Sequence, residues 1–186
     1  RSAQAAGANN LTFTTNGNPT FNASLSGTGT LTIQAAAVAT TIGIAGGAGT
    51  INVANSDLGY IQNGWSDIVF GNASGTGAMT IGSYTWQLNT SFKTGSGVIT
   101  VSGVQNTSGN NLTYETDGNM VVSANIIGTG TLTIRPSAAA TIMNIATGST
   151  GLNLVTAELA YIQDGWSQII FGRSNETGAV NVGAKT

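Results

Sequence analysis

Gly27–Ile33 reads GTGTLTI, and the same seven residues recur at Gly128–Ile134. The Gly-x-Gly opening permits a corner, after which Leu31 and Ile33 fall on one face while Thr30 and Thr32 fall on the other. The word describes a strand with one apolar side. Variants stand at Gly47 (GAGTINV), Gly75 (GTGAMTI) and Gly95 (GSGVITV), with degenerate forms near Gly148 and Glu176. Successive starts are 20, 28, 20, 33, 20 and 28 residues apart, the range of stacked-repeat architectures. One such strand cannot bury its apolar face alone, but copies stacked about 4.8 Å apart form a continuous core with Thr and Asn outside. The predicted fold is therefore all-β, a parallel β-solenoid. A string of β-sandwiches would also show short alternating strands, but it needs distinct strands with distinct partners. One recurring word favours the solenoid.

A longer period encloses the short one. Shifting the chain by 101 residues superposes Leu11–Thr85 on Leu112–Thr186 without a gap, with about 35 identities in 75 positions. The expected organisation is one continuous solenoid: residues 1–10 end a preceding repeat, 11–111 form one repeat, and 112–186 form a truncated second. Two matching segments break the strand pattern, ANSDLGYIQNGWSDIVF at Ala54–Phe70 and VTAELAYIQDGWSQIIF at Val155–Phe171. Leu58 with Ile61, and Leu159 with Ile162, follow a helical spacing. Asn55 or Ser56, and Thr156, are candidate N-caps, while Asp57 and Glu158 suit the positive helix end. With Gly64 and Gly165 as stops, this predicts helical excursions of one to two turns near 55–64 and 156–165. Strands Ile68–Phe70 and Ile169–Phe171 should follow.

Composition narrows the function. The 186 residues include 27 Gly, 2 Pro and neither Cys nor His, and only 6% are charged. An average soluble domain carries about 25% charged residues, so Thr, Ser, Asn and Gly must cover this surface. A net charge of −2 and a mean hydropathy of +0.14 set the chain apart from disordered sequences. Without Cys there is no disulfide or thiolate zinc site, and without His the usual general base and commonest metal ligand are missing. A non-enzyme with no cofactor and no metal is expected. Five Lys and Arg and a pI near 4.7 offer no footprint for nucleic acid or an anionic membrane. The weakly polar run Ala35–Ala45 is far shorter than the roughly 18 apolar residues of a membrane span, so no membrane insertion is expected in this segment.

Candidate sites are few. Tyr60 and Trp65, with Tyr161 and Trp166 at the matching positions, are paired aromatics that can stack on sugar rings; as large residues ending a short helix they equally serve as fasteners, which is the favoured reading. The carboxylates Asp57, Asp67, Glu115, Asp117, Glu158, Asp164 and Glu176 are dispersed, whereas a retaining glycosidase needs two about 5 Å apart. Glu115 and Asp117 share a strand face, but Thr14 and Asn16 replace them in the first copy, so they read as solvated surface charge. GGAGTINVA from Gly46 departs from the calcium nonapeptide, with Ile at the ligand position. The GxG pairs open strands, unlike a dinucleotide fingerprint. Asn10, Asn22, Asn72, Asn89, Asn106, Asn111 and Asn175 lie in sequons and are candidate glycosylation sites, a pattern that an Asn- and Thr-rich composition also generates by chance. The interrupted Thr spacing argues against an ice-binding lattice.

The GTGTLTI strand, the N-x-x-x-x-x-L-x-x-I-x-x-G-W-S-x-I-x-F-G segments at Asn52–Gly71 and Asn153–Gly172, and the T-G-A at Thr76–Ala78 and Thr177–Ala179 resemble repeats of large bacterial surface adhesins of the filamentous-haemagglutinin type. The resemblance implies a right-handed β-helix, secretion to the bacterial cell surface, and a role in attachment, aggregation or biofilm. It implies as partners neighbouring repeats of the same chain, lateral association into fibres, and a cell-surface or glycan receptor. A non-catalytic stalk segment is the leading expectation. A glycan-binding repeat using Trp65 and Trp166 is the alternative, and a β-helical polysaccharide-active enzyme a third.

Overall fold

The computed structural model describes residues 3–184. Its regular structure is almost entirely β-strand, and every strand pairing among the described residues is parallel. Seven strands form a long sheet: Leu11–Thr15, Thr30–Ala35, Asp67–Gly71, Thr90–Lys93, Leu112–Glu115, Thr131–Arg135 and Gln168–Phe171. They lie side by side in chain order, and register partners along Leu11, Leu31, Ile68, Thr90, Leu112, Leu132 and Ile169 are 20, 37, 22, 22, 20 and 37 residues apart.

Alternation explains the core. Leu31 and Ile33 are fully buried while Thr30 and Thr32 are partly open, as the period of two requires. Parallel in-register pairing then stacks like on like. Phe70, Phe92 and Tyr114 form a column with ring centroids 5.6 and 5.4 Å apart and planes within 16° and 19° of parallel. Trp86, also fully buried, packs against Phe70, Phe92 and Tyr84, and its indole N–H donates to Gln105 Oε1 at 2.8 Å.

A second sheet carries Ile51–Val53, Ile42–Ile44, Met79–Ile81, Ile99–Val101 and Met120–Val122 in that spatial order. The chain thus visits Ile42–Ile44 first, then loops through residues 45–50 to lay Ile51–Val53 on its outer side before continuing. The same arrangement recurs with Met143–Ile145 between Leu152–Leu154 and Val180–Val182. A third edge is built from very short strands: Gln4–Ala5 with Leu25–Ser26, and Tyr84–Thr85, Gln105–Asn106 and Ile126–Ile127 in order. Isolated bridges extend it, Leu25 to Ile61 and Ile126 to Ile162. Elements therefore recur at the 101-residue offset on all three sides. Per offset the long sheet advances by four strands and the second sheet by five.

The recurring word does not mark one position. The copies at Gly27 and Gly128 lead into the long sheet, whereas those at Gly47, Gly75 and Gly95 lead into the second sheet. The passes between long-sheet partners are accordingly 20, 37 and 22 residues rather than the intervals between words. The predicted helices are also shorter. α1 (Asn55–Leu58) and α2 (Thr156–Leu159) are single turns whose N-caps are Ala54 and Val155, not the polar residues that follow. Asp57 and Glu158 replace the missing cap side chains by accepting the Ala54 N–H at 3.3 Å and the Val155 N–H at 2.8 Å. Gly64 and Gly165, at φ +124° and +116°, turn the chain beyond the helix rather than end it.

Candidate functional site

The two aromatic pairs sit where the helical turn rejoins the third edge. Tyr60 O accepts the Leu25 N–H and Leu25 O accepts the Gln62 N–H, both at 2.9 Å, which binds the excursion to the preceding pass of chain. Trp65 then folds beneath it. Its side chain is buried, its Nε1–H donates to Leu25 O at 3.3 Å, and its ring covers Gly27 so closely that a Cβ there would lie 2.5 Å from Trp65 Cη2. Trp166 covers Gly128 in the same way, with the same 2.5 Å approach, and its indole nitrogen is buried without a partner. Trp65 offers no free face like that of a sugar platform, whereas Trp166 is half-buried. Tyr60 and Tyr161 do remain open, each 37% exposed.

The sequon asparagines serve mainly as backbone acceptors. Asn10, Asn89 and Asn111 each take the N–H of the residue at the head of the next pass, Thr30, Asn111 and Thr131, at 2.9 Å. Asn72 and Asn106 accept from Ser74 and Ser108 two residues on, closing local turns. Asn22 and Asn175 are exposed.

Glu115 and Asp117 are not the solvated charges their sequence context suggests. Glu115 is 5% exposed and its Oε2 meets the Arg135 guanidinium at 2.6 Å, with Arg173 at 3.9 Å from Oε1. Lys93, Glu115 and Arg135 are register partners on adjacent strands, so one column sets two cations on either side of a buried carboxylate. Thr14 and Gln34 make the neutral version in the first unit, Gln34 Nε2 donating to Thr14 Oγ1 at 3.1 Å. Asp117 accepts the Ala138 N–H and the Thr141 hydroxyl, each at 2.7 Å, the task that Asn16 performs for Ala37 and Thr40. An open cavity of about 530 Å³ adjoins the column. The only carboxylate lining it is the ion-paired Glu115, which leaves no second acid for glycoside cleavage. Sequence inspection of a single copy misses this column; the 22- and 20-residue steps of the register reveal it.

Elsewhere, burial pushes the Asp67 carboxyl above its ordinary value, against the hydrogen bond from Ser91 Oγ at 2.9 Å and the Lys93 charge. The phenols of Tyr84 and Tyr114 are pushed up by burial as well. Among the described residues no three metal-ligating side chains cluster, and no helix is long and apolar enough to cross a membrane.

A half-open, largely apolar hollow lies beside the aromatic pair. It measures about 200 Å³ and is lined by Leu58, Ile61, Ile68, Tyr84, Trp86 and Leu88. It falls where the third edge is interrupted: Ile61 bridges Leu25 on one side, Tyr84–Thr85 pairs with Gln105–Asn106 on the other, and no strand pairing joins Ile61 to Tyr84. No protein-family model matches the chain, and no curated protein or solved structure shows significant similarity to it.

Proposed function

We propose that the chain is a segment of a parallel β-solenoid that acts as a non-catalytic stalk in an extracellular bacterial adhesin or surface fibre, serving cell attachment or aggregation. The observation that carries this reading is the recurrence of parallel pairing on three sides at the 101-residue offset. A unit that pairs forward as its predecessor paired can be copied indefinitely along one axis, and its stability is then a sum over neighbouring contacts. Its scarce charge suits such copying, because like passes stack without repulsion. Function would be length: four long-sheet steps of about 4.8 Å add roughly 19 Å per unit.

Burial of Trp65 and the close cover of Gly128 by Trp166 support the fastener reading of these aromatics. The glycan reading keeps the exposed Tyr60 and Tyr161 and the half-buried Trp166. Concatemers of the 11–111 unit test both. Small-angle scattering and electron microscopy should show an elongated particle whose contour length grows by a constant increment per unit, and beads coated with it should not adhere to cells or glycan arrays. A globular particle would overturn the stalk. Adhesion lost on replacing Tyr60 in each unit by Ala, with the rod intact, would establish the glycan reader instead.

A further inference from the structure

Charge is rare in this chain, and every cation among the described residues lies in one place. Of the five Lys and Arg, Arg1 and Lys185 fall outside those residues, while Lys93, Arg135 and Arg173 all line the open cavity of about 530 Å³ beside the long sheet. The seven acids are spread along the sequence, and only Glu115 lines that cavity. Three cations less one carboxylate leave a formal +2 there, in a chain whose net charge is −2.

An ion-pair ladder does not account for this surplus. Glu115 Oε2 is taken by Arg135, whose Nε and Nη2 reach it at 2.8 and 2.6 Å, which leaves Arg135 Nη1 for another acceptor. Arg173 Nη2 stands 3.9 Å from Oε1, beyond hydrogen-bond reach, and donates to Pro136 O instead, while its Nε is buried without an acceptor. Both ion pairs among the described residues belong to Glu115, so Lys93 has none. Lys93 lies two strands from Arg135, about 9.6 Å, a distance at which like charges repel. Nor does the fold require these charges. At the 101-residue offset the first unit builds the same strands with Thr14, Gln34 and Asn72 in place of Glu115, Arg135 and Arg173.

We propose that this cavity binds an acidic sugar, a hexuronate unit, with Lys93 and Arg135 Nη1 donating to its carboxylate and Arg173 supplying the third positive charge. Both donor side chains are long enough to converge on one oxyanion above the buried Glu115. A guanidinium and an ammonium in a water-restricted cleft are the groups that hold a carboxylate most strongly. The volume falls within the roughly 300–1,000 Å³ of small-molecule sites. The rest of the lining suits a hydroxylated ring: Thr133, Ser137 and Ser174 bring hydroxyls, Asn175 an amide, and Ile170 an apolar contact for the ring's C–H face. An acidic peptide is the poorer match. Strands Thr90–Lys93, Leu112–Glu115 and Thr131–Arg135 are each paired on both sides, so they offer no free edge for a peptide main chain. Of the charged residues only Lys93 belongs to residues 11–111, so concatemers of that unit lack the site and its test is independent of theirs.

Methyl β-glucuronide is the probe, titrated into the ¹⁵N-labelled chain. It should shift the amide signals of Glu115, Arg135 and Gly172 saturably, and methyl β-glucoside, which carries CH₂OH in place of the carboxylate, should not. Lys93→Gln leaves the Glu115–Arg135 pair intact and should weaken binding about threefold to tenfold, as should Arg173→Asn, which installs the residue of the first unit. The proposal is overturned if tens of millimolar glucuronide leave those amides unmoved, if the glucoside shifts them equally, or if Lys93→Gln binds as the native chain does. It is also overturned if inorganic sulfate or acetyl-aspartate amide binds more tightly than the glucuronide, which would mark a bare anion site or an acidic-peptide site. Because the probes are compared on the native chain, the result stands even where a variant fails to fold.

Discussion

Gly27 shows how a single residue fixes the placement of an element. Its missing side chain is the space that the Trp65 ring occupies, and that ring in turn secures the helical excursion through its bond to Leu25 O. Gly27→Ala forces the indole or the backbone to move, and overpacking of this kind costs about 1–3 kcal/mol. Urea denaturation should show that loss for Gly27→Ala and little change for Thr28→Ala at the neighbouring position. Asp67 makes a different case. Its folded pKa is raised, so the folded state favours the protonated form, and stability falls as pH climbs from the ordinary carboxylate range through the raised value. Asp67→Asn should therefore raise Tm at pH 7 and lose that advantage at pH 3, where the native carboxyl is neutral too. The second unit already carries a neutral residue here, Gln168. A larger gain at pH 3 than at pH 7 would reverse the assignment.

At the scale of elements, α1 and α2 owe their place to side chains acting across passes. Asp57 accepts the Phe21 N–H at 3.0 Å as well as that of Ala54, and Glu158 bridges Val122 and Val155 in the same way. Asp57→Ala leaves two backbone donors without their acceptor, a change worth about 1–3 kcal/mol. Hydrogen exchange should then speed up at Phe21 and Ala54 together, whereas loss of a purely local cap would affect Ala54 alone. Much of this layer was legible in the sequence: the alternation of Leu31 and Ile33 with Thr, the offset of 101 residues, and acidic residues at the helix start. What sequence could not rank was which sheet each word enters. GAGTINV and GTGTLTI have the same alternation, yet Ile51–Val53 lies in the second sheet and Thr30–Ala35 in the long one, because local period fixes a strand's face and not its neighbours. Pro19 illustrates the limit in the other direction. Its equivalent, Met120, opens a strand, but Pro19 has no N–H and Asn18 instead offers its side-chain oxygen to Asn52 N at 2.7 Å. The charged column was hidden for a related reason, since Lys93, Glu115 and Arg135 come together only through the register of adjacent passes and leave no motif.

For the whole molecule, unequal strand counts have a mechanical consequence. Five second-sheet strands and four long-sheet strands span the same 101 residues, so at equal spacing one side is about 24 Å long and the other about 19 Å. Across a layer about 10 Å thick, that difference turns the axis by roughly 25–30° per unit, with the long sheet on the inside. An array of these units should therefore be an arc or a coil rather than a straight rod. Electron micrographs of four-unit and eight-unit concatemers measure it directly, through the ratio of end-to-end distance to contour length. That ratio should fall clearly between four units and eight. An unchanged ratio would mean that wider spacing in the long sheet, or the unpaired step between Met120–Val122 and Leu152–Leu154, absorbs the mismatch within each unit.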